Sequence, residues 1–246
     1  MSLKIIVPIY KKFLSKKESF SLDYSLRNLN TYDCVFVAPS GLDVSFYASR
    51  YRGYYYYFSA SFFSSIQSYN QLMLNINFYE AFRDVDFLLI LQPDVFVFRD
   101  DLNRWLNSPF DYIGAPWPAG FELNVQIGKF SDSKGASIKV FVGNGGFSLR
   151  RREKCIKLIY EHPEAANWFT QTGSNEDLFF SIMGALSSDF ILPNQIIASQ
   201  FAVELEPAHY FKINNNTLPM AVHAWDKYDP EFWREHMPPW PESEGG

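Results

Sequence analysis

The stretch Phe87-Leu-Leu-Ile-Leu91 limits the possible folds of this chain more than any other. Five apolar side chains follow one another with no polar alternate, so a strand built from them is buried on both faces. Strands of that kind lie in parallel sheets with helices on either side. The run is also far too short to cross a bilayer, which takes about twenty residues. Two similar runs precede it, Lys4-Ile-Ile-Val-Pro-Ile9 and Cys34-Val-Phe-Val-Ala38. Between them Phe20, Leu22, Leu26 and Leu29 recur at near-helical spacing over 19–29. Strand, helix, strand opens a βαβ unit, whose crossover is right-handed.

The same reading carries along the chain. Residues 54–58 form a strand of five aromatics. Apolar residues at 66, 69, 72, 73, 76, 79 and 82 predict one amphipathic helix over 66–82. A single strand is expected over 86–97, a short helix over 101–106, and a long loop over 117–137, where glycines and polar residues show no period. A strand at 140–149 and helices at 151–160 and 175–186 follow, and beyond Ser187 the pattern is irregular. Residues 238–246, rich in proline and glycine, read as a disordered tail. The expectation is one α/β domain over 1–237, Rossmann-like, with a mixed central sheet flanked by helices.

Composition excludes several classes. Apolar residues make up 47% of the 246 and charged ones 20%, which rules out general disorder. A net charge of −5 argues against a nucleic-acid partner, which demands a basic face. Cys34 and Cys155 have no metal-like spacing and fit a reducing compartment. No signal peptide or transmembrane run is apparent. A cytoplasmic protein is therefore expected, one whose apolar surplus also suits the inner membrane surface. Oligomeric state is not specified.

Four constellations can carry chemistry. In Gln92-Pro93-Asp94, a carboxylate directly follows the buried strand and so faces the crevice where open α/β sheets bind ligands. A hard cation suits it there. Asp100 and Asp101 more simply cap the next helix. In Gly143-Asn144-Gly145-Gly146, three glycines in four positions interrupt a strand, marking either a bulge or close approach of a ligand. Ser174-Asn175-Glu176-Asp177 reads equally as a capping box and as the source of a general base. His223-Ala224-Trp225-Asp226-Lys227 offers a ligand, an acid/base or a packed surface histidine.

Taken in order, these segments resemble a family of bacterial GT-A-like glycosyltransferases long catalogued as a domain of unknown function. The resemblance rests on Ser68-Tyr69, Gln92-Pro-Asp94 through Leu102, Phe110-Asp-Tyr-Ile-Gly-Ala-Pro-Trp117, Val142-Gly-Asn-Gly-Gly-Phe-Ser-Leu-Arg150, Asn175-Glu-Asp177 and His223-Ala-Trp225. It implies transfer of a sugar from a nucleotide-sugar donor to a glycan or lipid-linked acceptor, in surface polysaccharide or glycoconjugate synthesis. Pro8, Ile9 and Tyr10, leaving the first strand, match the nucleotide site, joined by Asp94, Gly145 and Gly146. The metal motif of the wider fold, Asp-x-Asp, reads Asp94-Val95-Phe96 here, so its second carboxylate is absent. Asp94 with His223 would hold one Mn²⁺ or Mg²⁺. Alternatively Arg99 or Lys227 would stabilise the leaving diphosphate without a metal.

The mechanism implied is an inverting displacement with Asp177 as base and Glu176 as second choice. Trp117 and Trp225 would stack against sugar rings. The rival reading is a non-catalytic glycan- or nucleotide-sugar-binding protein on the same fold. A nucleotidyltransferase ranks last, because no glycine-rich, basic phosphate loop follows the first strand.

Overall fold

The computed structural model describes residues 1–124 and 137–240. Among the described residues nine strands form two sheets: β1 Leu3–Pro8, β2 Asp33–Pro39, β3 Tyr54–Phe58, β4 Phe87–Leu91, β5 Val95–Val97, β6 Tyr112–Asn124, β7 Ser137–Arg151, β8 Ala202–Val203 and β9 Ala221–His223. The larger sheet has the order β3-β2-β1-β4-β7-β6, and the smaller one β5-β9-β8. β1 to β4 run parallel, whereas β7 pairs antiparallel with both β4 and β6. This is the mixed α/β architecture expected from the unbroken apolar runs.

Alternation explains why those runs are unbroken. Ile5, Val7, Leu89 and Leu91 point into one apolar cluster, while Ile6, Leu88 and Ile90 point into a second on the other face of the sheet. A third cluster, built on Phe96, Val203, Tyr210, Val222, Trp225 and Trp233, lies around the small sheet. Burial of these rings accounts for much of the aromatic surplus. β3 is an edge strand whose Tyr54, Tyr56 and Tyr57 remain exposed.

Several boundaries differ from the sequence reading. The first helix is Lys16–Asn28, begun by a capping box in which Ser15 and Glu18 bond reciprocally. The helix expected over 66–82 is two, Ile66–Met73 and Ile76–Glu80, because the Asn75 side chain caps a new start by accepting from the Asn77 amide. The strand expected over 86–97 breaks at Gln92-Pro93-Asp94, where Val95 N donates to Gln92 O at 3.0 Å. Beyond that turn the chain leaves the large sheet and β5 pairs with β9.

Of the loop expected over 117–137, the described residues 117–124 and 137 lie in strands. β6 continues to Asn124 and β7 begins at Ser137, with register shifts at Gly114 and between Pro116 and Phe121; residues 125–136 lie outside the described residues. Past Ser187, where no pattern was legible, lie the helices Gln195–Phe201, Pro207–Ile213 and Pro230–Arg234. Of the segment read as a tail, Trp240 is placed with its ring 4.8 Å from that of Trp225, and 241–246 lie outside the described residues.

Candidate active site

The turn that ends β4 puts Asp94 at the C-terminal edge of the parallel strands. Register then supplies its partner. β5 pairs antiparallel with β9 so that Val95 faces His223, which brings the ring beside Asp94. His223 Nε2 lies 3.4 Å from Asp94 Oδ1 and 3.1 Å from Gln92 Oε1. Lys227 Nζ reaches Asp94 Oδ2 at 3.4 Å from an exposed position. On the other side of the ring, Nδ1 lies 3.3 Å from Glu204 Oε1.

These charges hold one another. Burial raises the Asp94 carboxyl, but His223 and Lys227 outweigh it and hold the group well below the usual carboxylate range. Burial lowers the imidazole, and the carboxylates of Asp94 and Glu204 more than compensate, pushing it up to about 10.

A second cluster surrounds the start of the helix Glu176–Leu186. Arg150 projects from β7 into the core, where its guanidinium donates to Glu176 Oε1 at 2.9 Å, the Tyr79 hydroxyl at 3.1 Å and Ser148 Oγ at 3.0 Å. It also lies over the rings of Tyr112 and Phe180. Glu176 is thus neutralised, and its place as second-choice base is filled by a structural ion pair. Asp177 has no such cation against it. Its carboxylate accepts from the Gly145 amide at 3.1 Å and from the Leu178 amide at 2.7 Å. Burial first, and the charge of Glu176 second, raise its pKa well above the carboxylate range.

The two clusters meet at adjacent glycines. A Cβ on Gly145 would lie 2.6 Å from Glu176 Oε1, and one on Gly146 would lie 2.4 Å from the His223 ring. At each position a side chain of the cluster closes against the glycine backbone, leaving no room for a Cβ. Gln92 joins the clusters around the strand end, since its amide contacts His223 and also stands beside the Tyr69 hydroxyl, near Glu176. The N–H of Gln92 donates to Gly146 O at 3.0 Å.

The remaining candidates divide. Of the three residues leaving β1, Pro8 and Ile9 are buried and Tyr10 is exposed. Arg99 is held away by Asp101 Oδ2 at 2.6 Å and by the carbonyls of Leu218 and Pro219, so it does not join the cluster. Asp101 therefore makes that pair rather than a cap, and Asp100 caps by accepting from the Leu102 amide at 3.0 Å. Trp225 is buried, donates to Ser21 Oγ at 2.7 Å and packs on Phe20 and Trp240. Trp117 is likewise buried, edge-on to Phe121. Neither tryptophan offers a free face. No capping box forms at Ser174, whose hydroxyl pairs with Thr172, and Asn175 occupies the cap position without a side-chain bond. The capping box is thus absent, although Glu176 and Asp177 do stand in the first turn of the helix.

Sequence reasoning missed Glu204, Gln92 as a contact of His223, and Arg150. An arginine in a buried strand was a usable signal, because such a charge needs a partner. Glu204 had none, for it reaches His223 only through strand pairing.

Residues 54–223 match the model of the family described as "Protein of unknown function (DUF5672)". The chain belongs to that family. No curated protein matches the sequence. Among solved structures, the galactosyltransferase LgtC, in complex with donor and acceptor sugar analogs, is similar with a TM-score of 0.55 at 15% identity, over 89% of this chain and 86% of that one. Mouse xyloside xylosyltransferase 1, in its apo form, gives 0.55 at 10% identity over 91% and 98%. Core-mannan synthase A of Aspergillus fumigatus, in an Mn/GDP form, gives 0.51 at 12% over 74% and 69%. The fold of this family member is thus that of GT-A glycosyltransferases. No helix among the described residues is long and apolar enough to cross a membrane.

Among the described residues no group of three or more His, Cys, Asp and Glu is placed to hold a metal ion. What the site offers is His223 Nε2 with Asp94 Oδ1 at 3.4 Å and Gln92 Oε1 at 3.1 Å from it. Phe96 is buried in the small sheet and stacked on Phe20, so it contributes no oxygen. These donors alone do not make a cation site; a cation there would need phosphate and water to complete its coordination.

Proposed function

We propose that this protein is a glycosyltransferase that moves a sugar from a nucleotide-sugar donor to a hydroxyl of a glycan or lipid-linked acceptor, with inversion. The observation that carries the reading is the meeting of the Asp94–His223 pair and the Asp177 carboxylate at Gly145 and Gly146, at the C-terminal end of β4, in a GT-A fold. Open α/β sheets bind their ligands at that edge.

Asp177 takes the proton of the acceptor hydroxyl as its oxygen attacks the anomeric carbon. The bond from that carbon to the diphosphate oxygen breaks, and the nucleoside diphosphate departs. With its pKa raised to about 8, Asp177 acts as base in its ionised fraction, which is the stronger base for its environment and grows as pH approaches that value. Asp94 and His223 would hold a divalent cation, with Gln92 alongside, and Lys227 adds a flexible positive charge. When bound, the cation neutralises the charge developing on the diphosphate. Tyr10 offers a ring at the end of β1 for the nucleotide base.

For the acceptor we propose the neighbouring cleft of about 460 Å³, lined by Pro118, Ala119, Leu205, Glu206, Lys227, Tyr228 and Asp229. Exposed Tyr228 there takes the stacking part that the buried tryptophans leave open.

Comparison of Asp177→Asn with Glu176→Gln in a transfer assay tests the assignment. Asp177→Asn should lose at least about 100-fold in kcat, the scale of general-base catalysis. Near-wild-type turnover in Asp177→Asn would overturn the assignment. Phe96, buried where a second carboxylate would stand, favours a second reading, a nucleotide-sugar-binding protein without transfer. Donor binding with neither transfer nor hydrolysis would establish it.

A further inference from the structure

Glu176 and Asp177 are neighbours in sequence and both are enclosed at the start of one helix, yet among the described residues only Glu176 is paired with a cation. The difference lies in Arg150. Each of its three guanidinium nitrogens is engaged: Nη2 by Glu176 Oε1 at 2.9 Å, Nη1 by the Tyr79 hydroxyl at 3.1 Å and Nε by Ser148 Oγ at 3.0 Å. The Ser148 hydroxyl donates onward to Gly145 O at 3.1 Å, and the N–H of the same glycine donates to Asp177 Oδ2 at 3.1 Å. A Cβ on Gly145 would lie 2.6 Å from Glu176 Oε1 and 3.3 Å from Arg150 Nη2, so the bare backbone closes over the ion pair. The other titratable groups around the pair are hydroxyls and a thiol whose ionisation burial opposes: Tyr69 from Ile66–Met73, Tyr79 from Ile76–Glu80, Tyr112 from β6 and Cys155 from Arg152–Glu161. The charges that act on Asp177 are those of Glu176 and Arg150, and they oppose each other.

We infer that Glu176 is a positioning residue for the proposed transfer: it holds the Arg150 guanidinium to itself and so leaves Asp177 as the carboxylate that takes the acceptor proton. The inference rests on the reading of Asp177 as base. Without the Glu176 charge the buried guanidinium has lost its counterion, and Asp177, one residue along the helix, is the carboxylate left to balance it. An opposite charge beside a carboxyl favours the ionised form, and a base stabilised in that way accepts a proton less readily. Loss of the Glu176 charge therefore extends the ionisation of Asp177 to lower pH and weakens it as a base. A packing role alone changes neither.

Carbon-13 shifts of the Asp177 carboxyl, followed against pH in the intact protein without substrate, test this directly. In Glu176→Gln the midpoint should fall by about one pH unit or more, the lower end of the range for a carboxyl beside a cation. The double variant Arg150→Met with Glu176→Met removes the pair whole at similar volume, an exchange that buried pairs tolerate. There the midpoint should fall less, because the attracting guanidinium leaves with the carboxylate. A midpoint at the wild-type value in folded Glu176→Gln, or in the double variant where the single one does not fold, would overturn the inference. In the transfer assay the acidic limb of kcat/KM should move down with the midpoint while the alkaline plateau of kcat drops. A uniform loss at every pH, with the limb in place, would reduce Glu176 to packing. If Asp177→Asn keeps near-wild-type turnover, the base reading falls and the inference with it. If Asp177→Asn is inactive and the midpoint still does not move, the inference alone falls.

Discussion

A methyl group at position 146 would lie 2.4 Å from the His223 ring, closer than any ordinary carbon contact. Gly146→Ala should therefore push the imidazole off Asp94 and Gln92. Overpacking of this kind costs about 1–3 kcal/mol, so denaturant unfolding should show that loss together with weaker nucleotide binding. Arg150 is the second sensitive residue. Its guanidinium is buried against Glu176, and removing one partner of a buried pair costs about 3–5 kcal/mol. Urea titration of Arg150→Ala should show a loss of that size. Asp177 gives a sign that can be checked. Its carboxyl is raised in the folded chain, so the native state holds a proton that the unfolded state releases. The contribution is fully favourable below the unfolded value of about 4 and is lost as pH rises through the raised folded value. Stability measured against pH should fall across that window in wild type and fall less in Asp177→Asn.

At the scale of elements, the site depends on two short pairings, β5 with β9 and β8 with β9, which bring Asp94, His223 and Glu204 together from three distant parts of the sequence. The continuous apolar strands of the large sheet were legible because two-sided burial leaves no polar alternate. Asp94 was legible because it ends such a strand. The two- and three-residue strands were not, since runs so short carry no period, and Glu204 vanished with them. The C-terminal part of β6 read as loop for a related reason: Gly120 and the register shift between Pro116 and Phe121 break the alternation that marks a strand. Trp225 and Trp117 failed as sugar platforms because composition says nothing about which face of a ring is covered. Phe96 marks how firmly the small sheet is built. It lies among Phe20, Tyr24 and Phe98, so Phe96→Asp would bury a charge among rings rather than complete a metal motif. Its melting temperature should fall sharply with no gain in Mn²⁺ affinity.

Across the whole molecule, the parallel half of the large sheet ends at Tyr10 and Asp94, while the antiparallel half contributes the glycine strand and the helix that carries Asp177. The proposed donor and base groups thus come from different halves and meet at one edge, the arrangement a transferase with two substrates requires. The central claim is that this edge binds a nucleotide-sugar, and calorimetric or thermal-shift titration with UDP, GDP, CMP and dTDP, each with Mn²⁺ and with EDTA, measures it most directly. One nucleotide at about 100 times its dissociation constant should add about 2.7 kcal/mol of stability, with most of that gain lost in EDTA and in Asp94→Asn. No stabilisation by any of the four, with or without the metal, would contradict the account.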